Sequence, residues 1–570
     1  MSDIIKKPAN VEELLRWEWA DFEPAYNELQ RQTLAAENVS QWLSDWSLVI
    51  ELANELSSRL YVATSINTVD KEAEQRFQHF MEKTYPGLTE ADQKLKEKLL
   101  ESGLEPAGFE EPLRRIRVEA EIFRKENIPL QVEEQKLVTE HDKIMGAQTV
   151  TWRGEEKTVK QMETVLRENE REARREGWEL LSKRQLEDRK AINANWTKFM
   201  DLRLKMTKNA DQPDYRAYRW LQLGRFAYTP QDCKDFHKAI EEVVVPVYQR
   251  ISERRAERLG VDSLRYYDLF VDPSGQPPLK PFSDVRDLIS KTSAIFHQVL
   301  PQFGEYFDEM DRNGLLDLEN RKNKAAGGYC TSYAYTRKPF IFANAVGIHD
   351  DAQTLLHEGG HSFHDYEAYS LPYFQQRHAP MEFAEVASMG MEMLSAPYLA
   401  QEFGGYYTAS DAARALWEVL EVFTRFWPYM AIVDAFQHWV YENPQLSINP
   451  ANCDDCWEDL EIRFRPYIDW SGYEDVMRTG WQRKDHIHVV PFYYIEYGLA
   501  ELGALQVWAN ALKDQTTAVE RYRKALQLGC TKPLPELFAA AGGKLGFDSQ
   551  TLRPLVSLLE EKMVELESKY

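Results

Sequence analysis

The tightest constraint in this sequence is His357-Glu358-Gly359-Gly360-His361, an H-E-x-x-H pattern inside LLHEGGHSFHDYE, residues 355–367. On a helix each residue advances about 100°, so positions four apart face the same way. His357 and His361 then present two imidazoles at the spacing a single zinc ion needs. Glu358 stands beside them, placed to take a proton from water at the metal. A chain of this length and histidine content meets the pattern by chance at roughly the few-per-cent level, so its neighbours matter. Asp350 followed by Gln353 has the form of an N-cap and its N3 partner, and Leu355, Leu356 and Phe363 supply an apolar helix face. Gly359 and Gly360 each cost about 1 kcal/mol relative to alanine inside a helix. That cost suits a helix needing close backbone approach beside a metal.

The rest of the chain narrows the fold. Its 570 residues are 43% hydrophobic. No stretch approaches 18 uninterrupted apolar residues, so a globular chain without membrane spans is expected. The N-terminal MSDIIKKPANVEELLRWEW has no apolar signal core, which makes the cytoplasm the expected compartment. A net charge of −23 disfavours nucleic acid, which requires clustered Lys and Arg. The five cysteines form an odd, sparse set that suits a reducing compartment. Cys453 and Cys456 make a lone C-x-x-C without a second pair and read as ordinary thiols.

Residues 10–130 read as successive helices, with breakers at Pro86-Gly87 and Pro106-Ala107-Gly108. GAQTVTWRGEEKTV, 146–159, predicts a hairpin turning at Arg153-Gly154. One long charged helix is expected from Met162 to Trp196, its charges forming a solvated face. LRYYDLF (264–270) and KPFIFANA (338–345) are strand candidates. The second runs into the motif helix, and its exposed edge would lie along a bound substrate. After 385 the chain reads as helical, with loops around 446–457, 469–485 and 540–549. The expected class is mainly α with a small β-sheet next to the metal helix.

Two histidines leave one protein ligand to find, with a fourth position open to water. His364 lies a further turn along and suits packing or a supporting hydrogen bond. In APMEFAEVASMGMEML, 379–394, Glu385 is flanked by Phe383, Ala384, Val386 and Ala387, where a carboxylate is costly unless a cation compensates it. Glu382 and Glu392 lie on related faces, and spacing alone does not choose among the three.

H-E-x-G-H-x-x-H with F-x-E-x-x-S about two dozen residues on resembles the thimet oligopeptidase and oligoendopeptidase F family of zinc peptidases. GGYCTS (327–332), PFIFAN (339–344) and HIHVVPFYYIEYG (486–498) are similar to the oligoendopeptidase F branch. The resemblance covers about 200–570. It implies a two-lobed helical ellipsoid with a deep substrate channel and one zinc ion per chain on the channel floor. It implies Glu385 as third ligand beside His357 and His361, and Glu358 as base. It carries His486, Tyr497 and Tyr494 to the substrate carbonyl, with His488 and Tyr493 as competitors; packing is the plainer reading of Tyr493. The implied organisation is an N-terminal helical region, 1–190, and a zinc peptidase catalytic domain, 191–570, packed as one unit. The implied activity is hydrolysis of internal bonds in short peptides. A carboxypeptidase on a similar scaffold and a non-catalytic peptide-binding protein are the alternatives.

Overall fold

A computed structural model describes residues 4–570. The chain is mainly helical, with two small sheets. Helices Trp19–Arg31, Val39–Ile66, Tyr85–Glu101 and Glu110–Ile122 enclose one apolar core around Trp42, Trp46, Leu95 and Phe109. Along Val39–Ile66 the buried Trp42, Trp46, Val49, Leu52, Leu56 and Leu60 recur every three or four residues, the period of one helix face. Pro86-Gly87 does not break the chain direction as expected. Lys71–His79 runs through a π-turn at Phe80–Thr84 into Tyr85–Glu101, and the wider π-turn just before Pro86 absorbs the ladder bond its missing N–H removes.

The hairpin forms as expected from β1 (Thr149–Trp152) and β2 (Glu155–Thr158). Arg153 (φ 50°) and Gly154 (φ 88°) both take the left-handed backbone that a tight two-residue turn requires. The single charged helix is instead three: Val159–Leu166, Arg171–Glu187 and Arg189–Asn209. Its charges are not all solvated. Arg174 is 2% exposed and donates to Asp268 and to the carbonyls of Glu168, Asn169 and Tyr267. Asp268 also accounts for LRYYDLF, which is no strand but a single 3-10 turn, Tyr266–Asp268. Its carboxylate accepts the Arg265 N–H at 3.1 Å and two arginine side chains, a local alternative to pairing in a sheet.

The second sheet has β3 (Leu316–Glu319), β4 (Tyr329–Tyr333) and β5 (Lys338–Ala345), in the order β3-β5-β4. The expected exposed edge at 338–345 is therefore absent: β5 is the central strand, parallel to β3 and antiparallel to β4. Its run of buried residues from Pro339 to Asn344 is what a strand covered on both faces needs. The free edge beside the motif helix belongs to β4, from GGYCTS.

Beyond β5 the motif helix spans His349–Ala368. Asp350 is not its cap. Asp351 Oδ2 accepts the N–H groups of Val346, Gly347 and Ile348 at 2.7, 2.7 and 3.0 Å, while Asp350 pairs with Arg167. In the main core, helix Met381–Ser395 packs on the motif helix on one side and on Tyr494–Ala511 on the other, and Tyr494–Ala511 packs on Ala409–Glu442. The loop expected at 446–457 is mostly helix, Pro450–Phe464, capped by the Asn449 side chain.

Candidate metal centre

His357 and His361 occupy successive turns of the motif helix, ring centroids 5.0 Å apart. Glu385, 2% exposed, projects from the Met381–Ser395 helix. Its Oε2 lies 3.3 Å from His357 Nε2 and 3.5 Å from His361 Nε2. The three ligand atoms lie within 4.8 Å of one another. On the other side of His357, Nδ1 is 2.7 Å from Glu392 Oε1. A carboxylate only accepts, so the neutral ring carries its proton on Nδ1 and turns the Nε2 lone pair towards Glu385. Lone pair then faces carboxylate, and without a metal that conflict is relieved by a second proton, since, against burial, Glu385 and Glu392 raise the His357 imidazole well above its ordinary value. A metal cation would take that proton's place. Two imidazoles, a carboxylate and a further carboxylate behind one imidazole make a donor set that fits zinc.

The glycine pair explains how the helices come so close. A Cβ at Gly360 would lie 2.6 Å from the Ala387 carbonyl oxygen and from Ser388 Cα, and one at Gly359 would meet the Phe296 ring at 2.4 Å. The close approach is thus of a neighbouring helix, the one bearing Glu385, and of Phe296, rather than of backbone to metal. Against burial, which favours the neutral acid, the two imidazoles hold the Glu385 carboxyl well below the usual carboxylate range. Ser388 Oγ donates to its Oε2 at 3.0 Å.

Glu358 is buried, and its Oε2 has no hydrogen-bond partner. Burial raises its carboxyl above the ordinary value. Gly328, in GGYCTS, keeps one side of it open: a Cβ there would lie 3.6 Å from Glu358 Oε1. The rival carboxylates go elsewhere. Glu382 accepts from Tyr228 at 2.5 Å, with Arg225 at 3.7 Å, and Glu392 backs His357. His364 packs its ring against Phe383, away from the trio.

His486 Nε2 is 3.3 Å from the Tyr497 hydroxyl. Burial, with help from Lys484, pushes the His486 imidazole down to about 3, so it is neutral at pH 7. Burial, then the charges of Glu385 and Glu358, raise the Tyr497 hydroxyl well above its usual range and keep it a donor. Tyr494 is buried among Phe426, Tyr429 and the ammonium of Lys484. His488 stacks on His141 and Trp481, apart from this group. Tyr493, expected to pack, instead donates to Glu385 Oε1 at 2.6 Å. The signal available was its position four residues before Tyr497, on the same helical side.

Residues outside the motifs hold this segment. Phe492 has a left-handed φ of 65°, which a bulky residue rarely adopts. Gln437 Oε1 accepts its N–H at 2.6 Å, and Arg225 donates to its carbonyl and, at 2.7 Å, to Glu496. A second trio, Cys233, Asp434 and His438, also converges. There Arg216 donates to His438 Nδ1 at 3.3 Å, which leaves the proton on Nε2 and no lone pair for a metal. All five cysteines are free thiols. Among the described residues, no helix is long and apolar enough to cross a membrane.

A cavity of about 400 Å³ opens beside His357 and Glu358, between the motif helix and Ala409–Glu442. Oligopeptidase PepF of Bacillus subtilis (strain 168) is 24% identical over 344 residues, 57% of this chain and 47% of that protein. The Oligoendopeptidase F homolog of Borreliella burgdorferi (strain ATCC 35210 / DSM 4680 / CIP 102532 / B31) is 25% identical over 321 residues, 54% of this chain and 52% of that protein. The chain thus spans about half the length of these curated relatives. The solved structure described as PZ peptidase A with inhibitor 2 is 27% identical, with a TM-score of 0.91 and 99% of each chain covered. The sequence pattern of peptidase family M3 matches residues 164–556, and the chain belongs to that family.

Proposed function

We propose that the chain is a zinc-dependent oligoendopeptidase that hydrolyses internal bonds of short peptides in the cytoplasm. The observation that carries this reading is the convergence of His357, His361 and Glu385 with an unpartnered, buried Glu358 at the wall of a cavity. His357, His361 and Glu385 would hold the zinc, which when bound supplies a Lewis acid for the peptide carbonyl and for water. Glu358 takes the proton of the attacking water and delivers it to the leaving amine. Glu392 fixes the His357 ring so that Nε2 faces inward. Tyr497, with His486 beside it, donates to the carbonyl oxygen as that oxygen becomes negative. Tyr493 holds Glu385 in place, and Tyr494 packs behind them. The outer edge of β4 suits an added peptide strand, since β5 has none free. The 1–190 helical region and the 191–570 catalytic domain then act as two walls of one substrate channel.

Zinc analysis and digestion of a peptide blocked at both ends test the reading together. About one tightly held zinc and internal cuts that cease with chelator are expected, with native globular proteins left intact. Cuts confined to the free C-terminus of unblocked peptides would favour the carboxypeptidase, and binding without turnover would favour a peptide-binding protein.

A further inference from the structure

Three arginines line the cavity beside Glu358, Arg167, Arg255 and Arg425, and the first two are paired with its carboxylates. Its carboxylates already have partners. Asp350 meets Arg167 at 2.6 Å, and Glu418 meets the same arginine at 3.9 Å. Glu421 is held by Arg255 at 2.6 Å, and Asp272 lies 3.6 Å from Arg414. Glu392 backs His357. Arg425, on the cavity wall, donates to the Leu269 carbonyl at 3.1 Å and lies over Phe270, its guanidinium carbon 5.0 Å from the ring centroid. Among the described residues no carboxylate comes within ion-pair distance of it. A guanidinium has five N–H donors in a fixed plane. Here a carbonyl and an aromatic face set that plane and leave donors for a ligand.

An arginine with no carboxylate in direct contact stands out in a chain of net charge −23, although its charge, with those of Arg167 and Lys160, helps keep the nearby Asp350 carboxyl ionised against burial. The planar fork matches a carboxylate in a two-bond arrangement, and the partly enclosed wall strengthens such a bond relative to open water. Phe270 and the exposed Val422 supply apolar surface for the methylenes behind the acid. We propose that Arg425 binds a carboxylate of the peptide substrate in this cavity and so sets a preference for peptides that place an acidic group there. The group is either an Asp or Glu side chain or the free C-terminal carboxylate. This rests on the peptidase reading above and adds the chemistry of the substrate group that enters this cavity.

The test is a series of internally quenched peptides. Glu is exchanged for Gln at each position in turn, and each peptide is made with a free and an amidated C-terminus. The wild-type protein, zinc supplied, is expected to favour one acidic position, or the free terminus, by about tenfold in kcat/KM, expressed mainly in KM. A preference for Glu at an internal position identifies the side chain, and one for the free acid identifies the terminus. In Arg425→Gln the ratio should fall towards one, Arg425→Lys should keep part of it, and Arg425→Glu should shift it towards Lys at that position. The wild-type ratios stand even where a variant fails to fold. Equal kcat/KM across the series, or a ratio that survives in folded Arg425→Gln, overturns the proposal while leaving the peptidase reading intact. Absence of cleavage of every peptide sinks both readings together.

Discussion

Glu358 is a neighbour of the candidate ligands without being one of them, and that difference is measurable. Glu358→Gln keeps the shape of the side chain but cannot accept a proton. Turnover should fall by at least about 10² to 10⁴, while zinc stoichiometry stays at the wild-type value. Loss of zinc from this variant would mean that base and ligand have been exchanged. The tyrosines separate in the same way. Tyr497→Phe removes a donor expected to act mainly on the transition state, so kcat should drop by roughly 10² to 10³ with KM little changed. The hydroxyl of Tyr493 is engaged by Glu385 at 2.6 Å. Tyr493→Phe should therefore lower zinc affinity first and kcat through it. Tyr494 is enclosed by aromatic rings, so Tyr494→Phe should act on stability. A kcat loss larger at Tyr493 or Tyr494 than at Tyr497, with zinc fully bound, would move the donor role along the segment.

At the scale of elements, the site depends on how closely two helices pack. Gly360 faces backbone atoms of the Glu385 helix, which cannot swing aside, whereas Gly359 faces the ring of Phe296. Gly360→Ala gains about 1 kcal/mol of helix propensity but loses more to overpacking, typically 1–3 kcal/mol and occasionally above it. It should lower the urea midpoint and weaken zinc binding, because Glu385 moves outward with its helix. Gly359→Ala should be milder on zinc. Equal zinc affinity in Gly360→Ala and the parent would refute this account of the pair. The same helices show what was legible in the sequence. The motif helix, the hairpin at Arg153-Gly154 and the strand at 338–345 rest on local spacing, and local spacing can be read. What escaped depends on distant partners. LRYYDLF is a turn because Arg171 and Arg174 reach Asp268 from nearly a hundred residues away. The 338–345 strand is central because β3 and β4 flank it, which its own sequence does not state. The cap moved from Asp350 to Asp351 because the preceding three N–H groups converge on the latter, while Arg167 occupies the former. Glu382, Glu385 and Glu392 were indistinguishable by period; Tyr228, the two imidazoles and the far side of His357 sort them in space.

Across the whole molecule, buried titrating groups pull stability in opposite directions with pH. Burial holds the imidazoles of His349 and His378 down to about 4, against an ordinary value of about 6.5. His349 accepts or donates to Tyr407 at 2.7 Å at the start of the motif helix, and His378 packs on Phe374 before the Glu385 helix. Between about pH 6.5 and 4 the unfolded chain binds protons at these histidines that the folded chain refuses. Stability from them is therefore complete above about pH 6.5 and is lost as the pH falls towards 4. Burial also raises the carboxyls of Glu418 to about 7 and Glu496 to about 8. A raised acid works the other way: it favours the fold at low pH and withdraws that support as the pH rises through the folded value. Because the glutamates act between about pH 4.5 and 8 and the histidines between about 4 and 6.5, the two effects oppose each other over most of the same interval. His349→Asn and His378→Asn keep a polar group of similar reach and remove the titration. Measured by urea unfolding with chelator present, so that metal release plays no part, the change in stability from pH 7 to pH 5 is compared between parent and variants, which cancels the glutamates' contribution. Relative to the parent, each variant should shift that change towards greater stability at pH 5 by on the order of 1–2 kcal/mol, and the double variant further again. A parent and double variant with the same slope between pH 7 and 5 would show that these two rings do not carry an acid-side loss of stability.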